Sequence, residues 1–153
     1  MEVSQRIQKC QKMNFSKHMD IKRRKKMTNR YHFSLHLQFQ EDCDVNKLEK
    51  IIGLQSYKKN MLNESKGQNK TAKLWFKTSD YSEPDTYAVF EKILSKIKEK
   101  LEIIKQANDN FRGKTTLTLY FEELHQKPYI KLSKDDMELL SKNGISFDVD
   151  FRI

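Results

Sequence analysis

Tyr31-His32-Phe33-Ser34-Leu35-His36-Leu37-Gln38-Phe39-Gln40 alternates without a break. Tyr31, Phe33, Leu35, Leu37 and Phe39 fall on one side, and His32, Ser34, His36, Gln38 and Gln40 on the other. A period of two sustained over this length marks a strand with one buried face. Such a strand needs a second layer to cover its apolar side, and the flanking sequence offers amphipathic helices for that purpose.

Downstream, Asp44 is placed to cap a short helix carrying Val45, Leu48, Ile51 and Ile52, which Gly53 stops. Residues 55–71 are polar and lysine-rich and read as a long loop. Ala72 to Thr78 reads as a second strand, with Leu74 and Phe76 on one face and Lys73, Trp75 and Lys77 on the other. Ser82-Glu83-Pro84-Asp85 predicts a helix start with Ser82 as cap and Pro84 in the first turn. That helix is expected to run to about Ala107 on a stripe of Phe90, Ile93, Leu94, Ile97, Leu101 and Ile104. The stripe is too short for a coiled coil and reads as a core helix.

Thr115 to Glu123 alternates again, and a turn at His125–Lys127 leads to Tyr129-Ile130-Lys131-Leu132, so these two runs are expected to form a hairpin. Ser133 and Asp136 mark another helix start, closed by Asn143-Gly144. The chain ends on Ile145, Phe147, Val149, Phe151 and Ile153, alternating with Ser146, Asp148, Asp150 and Arg152. The expected order is β-α-β-α-β-β-α-β. It implies an α+β domain, a single mixed or antiparallel sheet of about five strands with helices on one face. The last six elements follow a partly ferredoxin-like, split-βαβ order.

Charge is unevenly distributed. The chain has 30 Lys and Arg against 21 Asp and Glu, a net charge of +9. Residues 1–30 hold ten basic residues and only Glu2 and Asp20 as acids, which leaves 20 basic and 19 acidic residues beyond them. The folded body is therefore nearly neutral. Lys22-Arg23-Arg24-Lys25-Lys26-Met27 resembles a nuclear-localisation or nucleic-acid patch. In A-rich codons the same run reads as a purine-rich ribosome-binding site ahead of a start codon. On that reading residues 1–26 are a disordered basic head with a mis-assigned start, and residues 27–153 are the single domain. A body of that size buries a core without disulfides or metal.

Of the two cysteines, Cys10 and Cys43, only Cys43 lies in the body, which excludes an internal disulfide or a cysteine zinc cage there. A reducing cytoplasm is the expected location. No stretch approaches the roughly 20 apolar residues of a membrane span, so no membrane association is expected. Asn63-Glu64-Ser65 and Asn69-Lys70-Thr71 match the glycosylation pattern by chance in a polar loop.

Several features together resemble a known family. They are Ile52-Gly53-Leu54 after a short helix, Lys66-Gly67 in a polar loop, Trp75 on a strand and the long Lys/Glu helix. Leu132-Ser133, Asn143-Gly144 and the closing Phe147-Asp148-Val149-Asp150-Phe151 complete the set. In this order they resemble the bacterial family catalogued as domain of unknown function 4279, over roughly residues 31–153. Gln55-Ser56 departs from it, where a proline is expected soon after Gly-Leu. The resemblance implies a fold and no activity.

Candidate chemistry is sparse. His32 and His36 share a strand face but stand about 13 Å apart at strand rise, too far to ligate one ion. His125 reads as polar loop. No Ser, Thr or Cys sits in a recognisable nucleophile motif, and no Gly-rich phosphate loop occurs. Asp148 and Asp150 point the same way and with a third carboxylate would hold a divalent cation. The plainer reading is a charged sheet face balanced by Arg152, Lys73, Lys77 and Lys131, so no metal and no cofactor is expected.

Trp75 falls on the polar face, where Tyr120 and Tyr129 are also expected. Aromatics among lysines on a sheet stack single-stranded RNA or anchor a protein partner. The reading favoured for Trp75 itself is that the 55–71 loop folds over this face and buries it as a second small core, because large aromatics usually end up covered. The expected function is a non-enzymatic protein-binding module of immunity or accessory type with an unknown protein partner. The binding candidates are Trp75, Tyr120, Tyr129, Asp148 and Asp150. Single-stranded RNA binding is the alternative, disfavoured by the neutral body because phosphate contacts need positive charge.

Overall fold

Residues 27–67 and 70–152 are described by the computed structural model. The basic run at 22–26, Asn69 and Ile153 lie outside them. The alternating stretch forms β1 (Arg30–Phe39), and α1 (Val45–Ile52) follows. Asp44 caps α1 by accepting from the Lys47 amide at 3.0 Å, and Gly53, at φ 72°, ends it in the left-handed region that favours glycine. The remaining elements are β2 (Lys58–Asn60), β3 (Ala72–Lys77), α2 (Thr86–Ile97), α3 (Leu101–Asn110), β4 (Gly113–Glu123), α4 (Lys134–Lys142) and β5 (Ile145–Phe151).

The sheet has five strands in the order β2-β3-β1-β4-β5. β1 pairs antiparallel with both β3 and β4, so β3 and β4 run parallel with β1 between them. The β3-α2-α3-β4 passage is thus a split βαβ unit, and β4-α4-β5 is a direct one, since β5 pairs parallel to β4. The helices bury Val45, Leu48, Ile52, Phe90, Ile93, Leu94, Ile97, Leu101, Ile104 and Leu140 in one core. The sheet contributes Phe33, Leu35, Leu37, Phe39, Leu74, Leu117, Leu119 and Phe121 to the same core. The single mixed sheet with helices on one face therefore stands.

Three expectations need correction. The 129–132 run forms no strand. The slot beside β4 is taken by β5, which pairs from Thr115↔Ile145 through Phe121↔Phe151. The 124–133 segment instead crosses the helical side. Asn29 Oδ1 accepts from the His125 and Gln126 amides, and Thr86 Oγ1 donates to the Tyr129 carbonyl at 2.6 Å. The fifth strand comes from inside the expected loop, as β2. With 129–132 unpaired and β1 in the middle, the ferredoxin-like hairpin is absent.

The long helix also starts later than its sequence signal. Tyr81 bridges β1 by exchanging backbone bonds with Tyr31 at 3.0 and 2.7 Å, and Tyr31 Oη donates to the Glu83 carbonyl. These contacts hold 81–83 out of the helix, and Pro84 disfavours a helical Glu83. Asp85 becomes the cap and accepts from the Ala88 amide at 3.1 Å. A 3-10 turn at Lys98–Lys100 then separates α2 from α3, and Ile97 and Leu101 on either side of it both stay buried. Finally, Ser133 and Asp136 cap α4 as expected, the Ser133 oxygen accepting from the Asp136 amide at 3.1 Å.

Candidate functional site

The second sheet face lies outside the helical core and carries the polar halves of the strands. Strand register fixes its layout. Lys58, Trp75, His36, Thr116 and Ser146 form one row across the five strands. Lys77, Ser34, Thr118 and Asp148 form the next, and His32, Tyr120 and Asp150 the one after. Paired residues on neighbouring strands share a face, so Trp75, Tyr120, Asp148 and Asp150 all lie on this surface. Tyr129 does not. It is exposed on the crossover at the helical side, tied to the start of α2. The structure therefore unites four of the five candidate residues and removes the fifth.

The aromatic rings form a continuous ladder. Trp75 meets His36 edge-on with centroids 6.0 Å apart, His36 lies 6.2 Å from Tyr120, and Tyr120 stacks on His32 at 5.0 Å. The two histidines, considered above only as metal ligands, are the links between the aromatics. Their strand alternation already placed them on Trp75's side. Cations cap the ladder. Lys58 and Lys73 place their amines 5.3 and 5.7 Å from the Trp75 ring centre, and the Arg152 guanidinium sits 4.2 Å over Tyr120.

Contrary to expectation, the described residues of the 55–71 segment do not bury Trp75. β2 extends the sheet in its own plane, with the Tyr57 amide bonded to the Trp75 carbonyl at 2.7 Å, while Met61 and Leu62 pack on the helical core. Trp75 is left half-buried.

Charge divides across this face. Lys58, Lys73 and Lys77 occupy the β2–β3 half. Asp148 and Asp150 occupy β5, about 19 Å from β2 at the usual strand spacing. Arg152 reaches Asp150 and Glu122, each at 3.7 Å. Arg152 thus pairs with Asp150, and among the described residues no cation pairs with Asp148; Lys73 and Lys77 lie on a distant strand, and Lys131 is on no strand. Among the described residues, no group of three or more His, Cys, Asp or Glu could hold a metal ion.

His32 is 3% exposed, and its Nδ1 lies 3.3 Å from Glu122 Oε1 and 3.6 Å from Asp80 Oδ1 yet is hydrogen-bonded to neither. Burial, assisted by Lys77, holds its pKa below the usual value, against the pull of Glu122 and Asp80. Burial and then Arg152 lower His36 as well. His36 Nε2 lies 2.9 Å from Ser34 Oγ, which itself donates to the Phe76 carbonyl at 3.0 Å. This is a serine–histidine couple, but Ser34 is buried, and among the described residues no carboxylate bonds His36 to orient it as a base.

A family model described as a domain of unknown function (DUF4279) matches residues 20–153. The chain belongs to this family. The DUF4279 match takes in every element described above and begins upstream of Met27. No curated protein and no solved structure matches the chain significantly.

Proposed function

We propose that this DUF4279 protein is a non-enzymatic binding module that docks another protein on its open sheet face, in an accessory or immunity-type role. The observation that carries the reading is the ladder Trp75–His36–Tyr120–His32, set between a lysine edge and an aspartate edge. Tryptophan and tyrosine are preferred anchors at protein interfaces, and flanking charges select partner and orientation. The face calls for a partner with carboxylates opposite Lys58, Lys73 and Lys77 and basic groups opposite Asp148 and Asp150. Cys43, a buried free thiol, suits a reducing cytoplasm.

Lys58 and Lys73 beside Trp75 also favour a second reading, single-stranded RNA stacked on the ladder. Against it stand Asp148, Asp150 and Glu122 on the same face, which repel phosphate.

Photo-crosslinking in the native cell separates the two. A crosslinker at position 73 is compared with one at position 105, an exposed site on α3. Docking on the open face yields one protein adduct from position 73 only, lost with Trp75→Ala and with Asp148→Lys/Asp150→Lys. A nuclease-sensitive adduct transfers the assignment to RNA. Equal adducts from both positions, or none, reject the open face.

A further inference from the structure

On the opposite side of the sheet, a cavity of about 260 Å³ lies between the β1–β3 pair and α2. Phe33, Leu35, Phe76 and Leu117 form its sheet wall, and Ile93 and Ile97 of α2 its helical wall. All six side chains are less than 8% exposed. Leu54 and Gln55, just beyond α1, line it as well, together with Lys96.

Two features define what fits. The sheet and helix walls are apolar and accept an apolar guest, while Gln55, Thr78 and Ser79 add polar groups to the lining. The ionisable residues lining the cavity besides Tyr81 are Lys77 and Lys96, both cationic; no carboxylate contributes. The Lys77 amine is engaged over the Tyr57 ring. Lys96 has no ion-pair partner among the described residues.

We propose that this cavity binds a small amphipathic anion, a monocarboxylate with an unbranched apolar tail lodged between the sheet and α2 and its carboxylate at Lys96. A methylene occupies close to the ~30 Å³ share of one liquid water, so the cavity takes a tail of about eight carbons. The site is independent of the open sheet face.

Binding to the full chain is measured by amide chemical shifts and thermal shift with hexanoate, octanoate and octan-1-ol. Octanoate is expected to bind about tenfold more tightly than hexanoate, the effect of two further buried methylenes, with shifts centred on Leu35, Phe76 and Ile93. Lys96→Met weakens octanoate at least fivefold and leaves octan-1-ol unchanged. Leu54→Trp, a substitution at a half-buried position on the rim of the core, blocks both. Ile93→Phe fills the cavity and abolishes octanoate binding. The proposal is overturned if octanoate binds no better than hexanoate or not at all. It is also overturned if Leu54→Trp leaves binding intact, or if Lys96→Met weakens acid and alcohol alike.

Discussion

Tyr120 lies flat on His32, ring centroids 5.0 Å apart and planes 26° from parallel. The contact joins β1 to β4 on the open face and shields the imidazole, which is held neutral by burial. Arg152 closes the stack from above. A rigid, preorganised surface of this kind binds with less ordering cost than a flexible one.

Acid should weaken the fold through His32. Its folded pKa is below the ordinary 6.5, so the unfolded chain takes up the proton first. The stability is present above about pH 6.5 and is lost as pH falls through the folded value. Glu122 and Asp80 resist this, while Lys77 and Arg152 reinforce it. His32→Phe, which keeps the stack on Tyr120 and removes the titration, should flatten the decline of Tm between pH 6.5 and 5. An unchanged slope would place the acid sensitivity elsewhere, His36 being the first alternative.

Glu91→Gln should stabilise the protein at neutral pH. Glu91 on α2 faces Asp136 on α4 with its Oε1 buried and unbonded, and the proximity of Asp136, then burial, holds the Glu91 carboxyl above its usual range. Burial disfavours the charge on Asp136, but the Ser133 hydroxyl at 2.6 Å and the Glu91 carboxyl outweigh it and lower the pKa. The raised Glu91 therefore contributes stability at low pH that is lost as pH rises through its folded pKa. Glutamine offers Asp136 a donor at every pH. A gain of about 2–4 °C in Tm at pH 8, vanishing near pH 4, is expected from one hydrogen bond.

Gly113→Ala should destabilise by about 1–3 kcal/mol, the usual cost of overpacking. A Cβ at Gly113 would come within 2.5 Å of both the Phe39 ring and Asn108 Oδ1. Neither neighbour has room to yield. Phe39 is fully buried, and the Asn108 side chain exchanges hydrogen bonds with Thr115 at 2.9 and 3.1 Å. Urea unfolding with an unchanged m-value checks it.

Most of the fold was legible because period and caps are local signals. The alternation of Tyr31–Phe39, the Asp44 and Ser133 caps and the Gly53 stop each act within a few residues. What was not legible depended on neighbours distant in sequence. Tyr129–Leu132 has a strand-like pattern, but β5 occupies the only place beside β4 where it could pair. Ser82 and Asp85 are both competent caps, and the choice between them is made by Tyr31, fifty residues away. The 58–60 strand has no apolar pattern and forms because the backbone of β3 needs an edge partner. At the site, strand phase alone correctly grouped Trp75 with Tyr120. Tyr129 was misplaced with its hairpin, and the role of His32 and His36 emerged only when register set them between the aromatics.

Trp75 is the sole tryptophan of the chain, so its fluorescence reports on the open face without labelling. The decisive measurement is acrylamide quenching of the full chain, alone and after Lys58→Glu/Lys73→Glu, which removes the cations flanking the ring. A half-buried Trp75 on an uncovered sheet face gives solvent-shifted emission and efficient quenching, increased by the double variant. Blue-shifted emission that acrylamide cannot reach in either protein would mean the face is covered, and the docking assignment would fall with it.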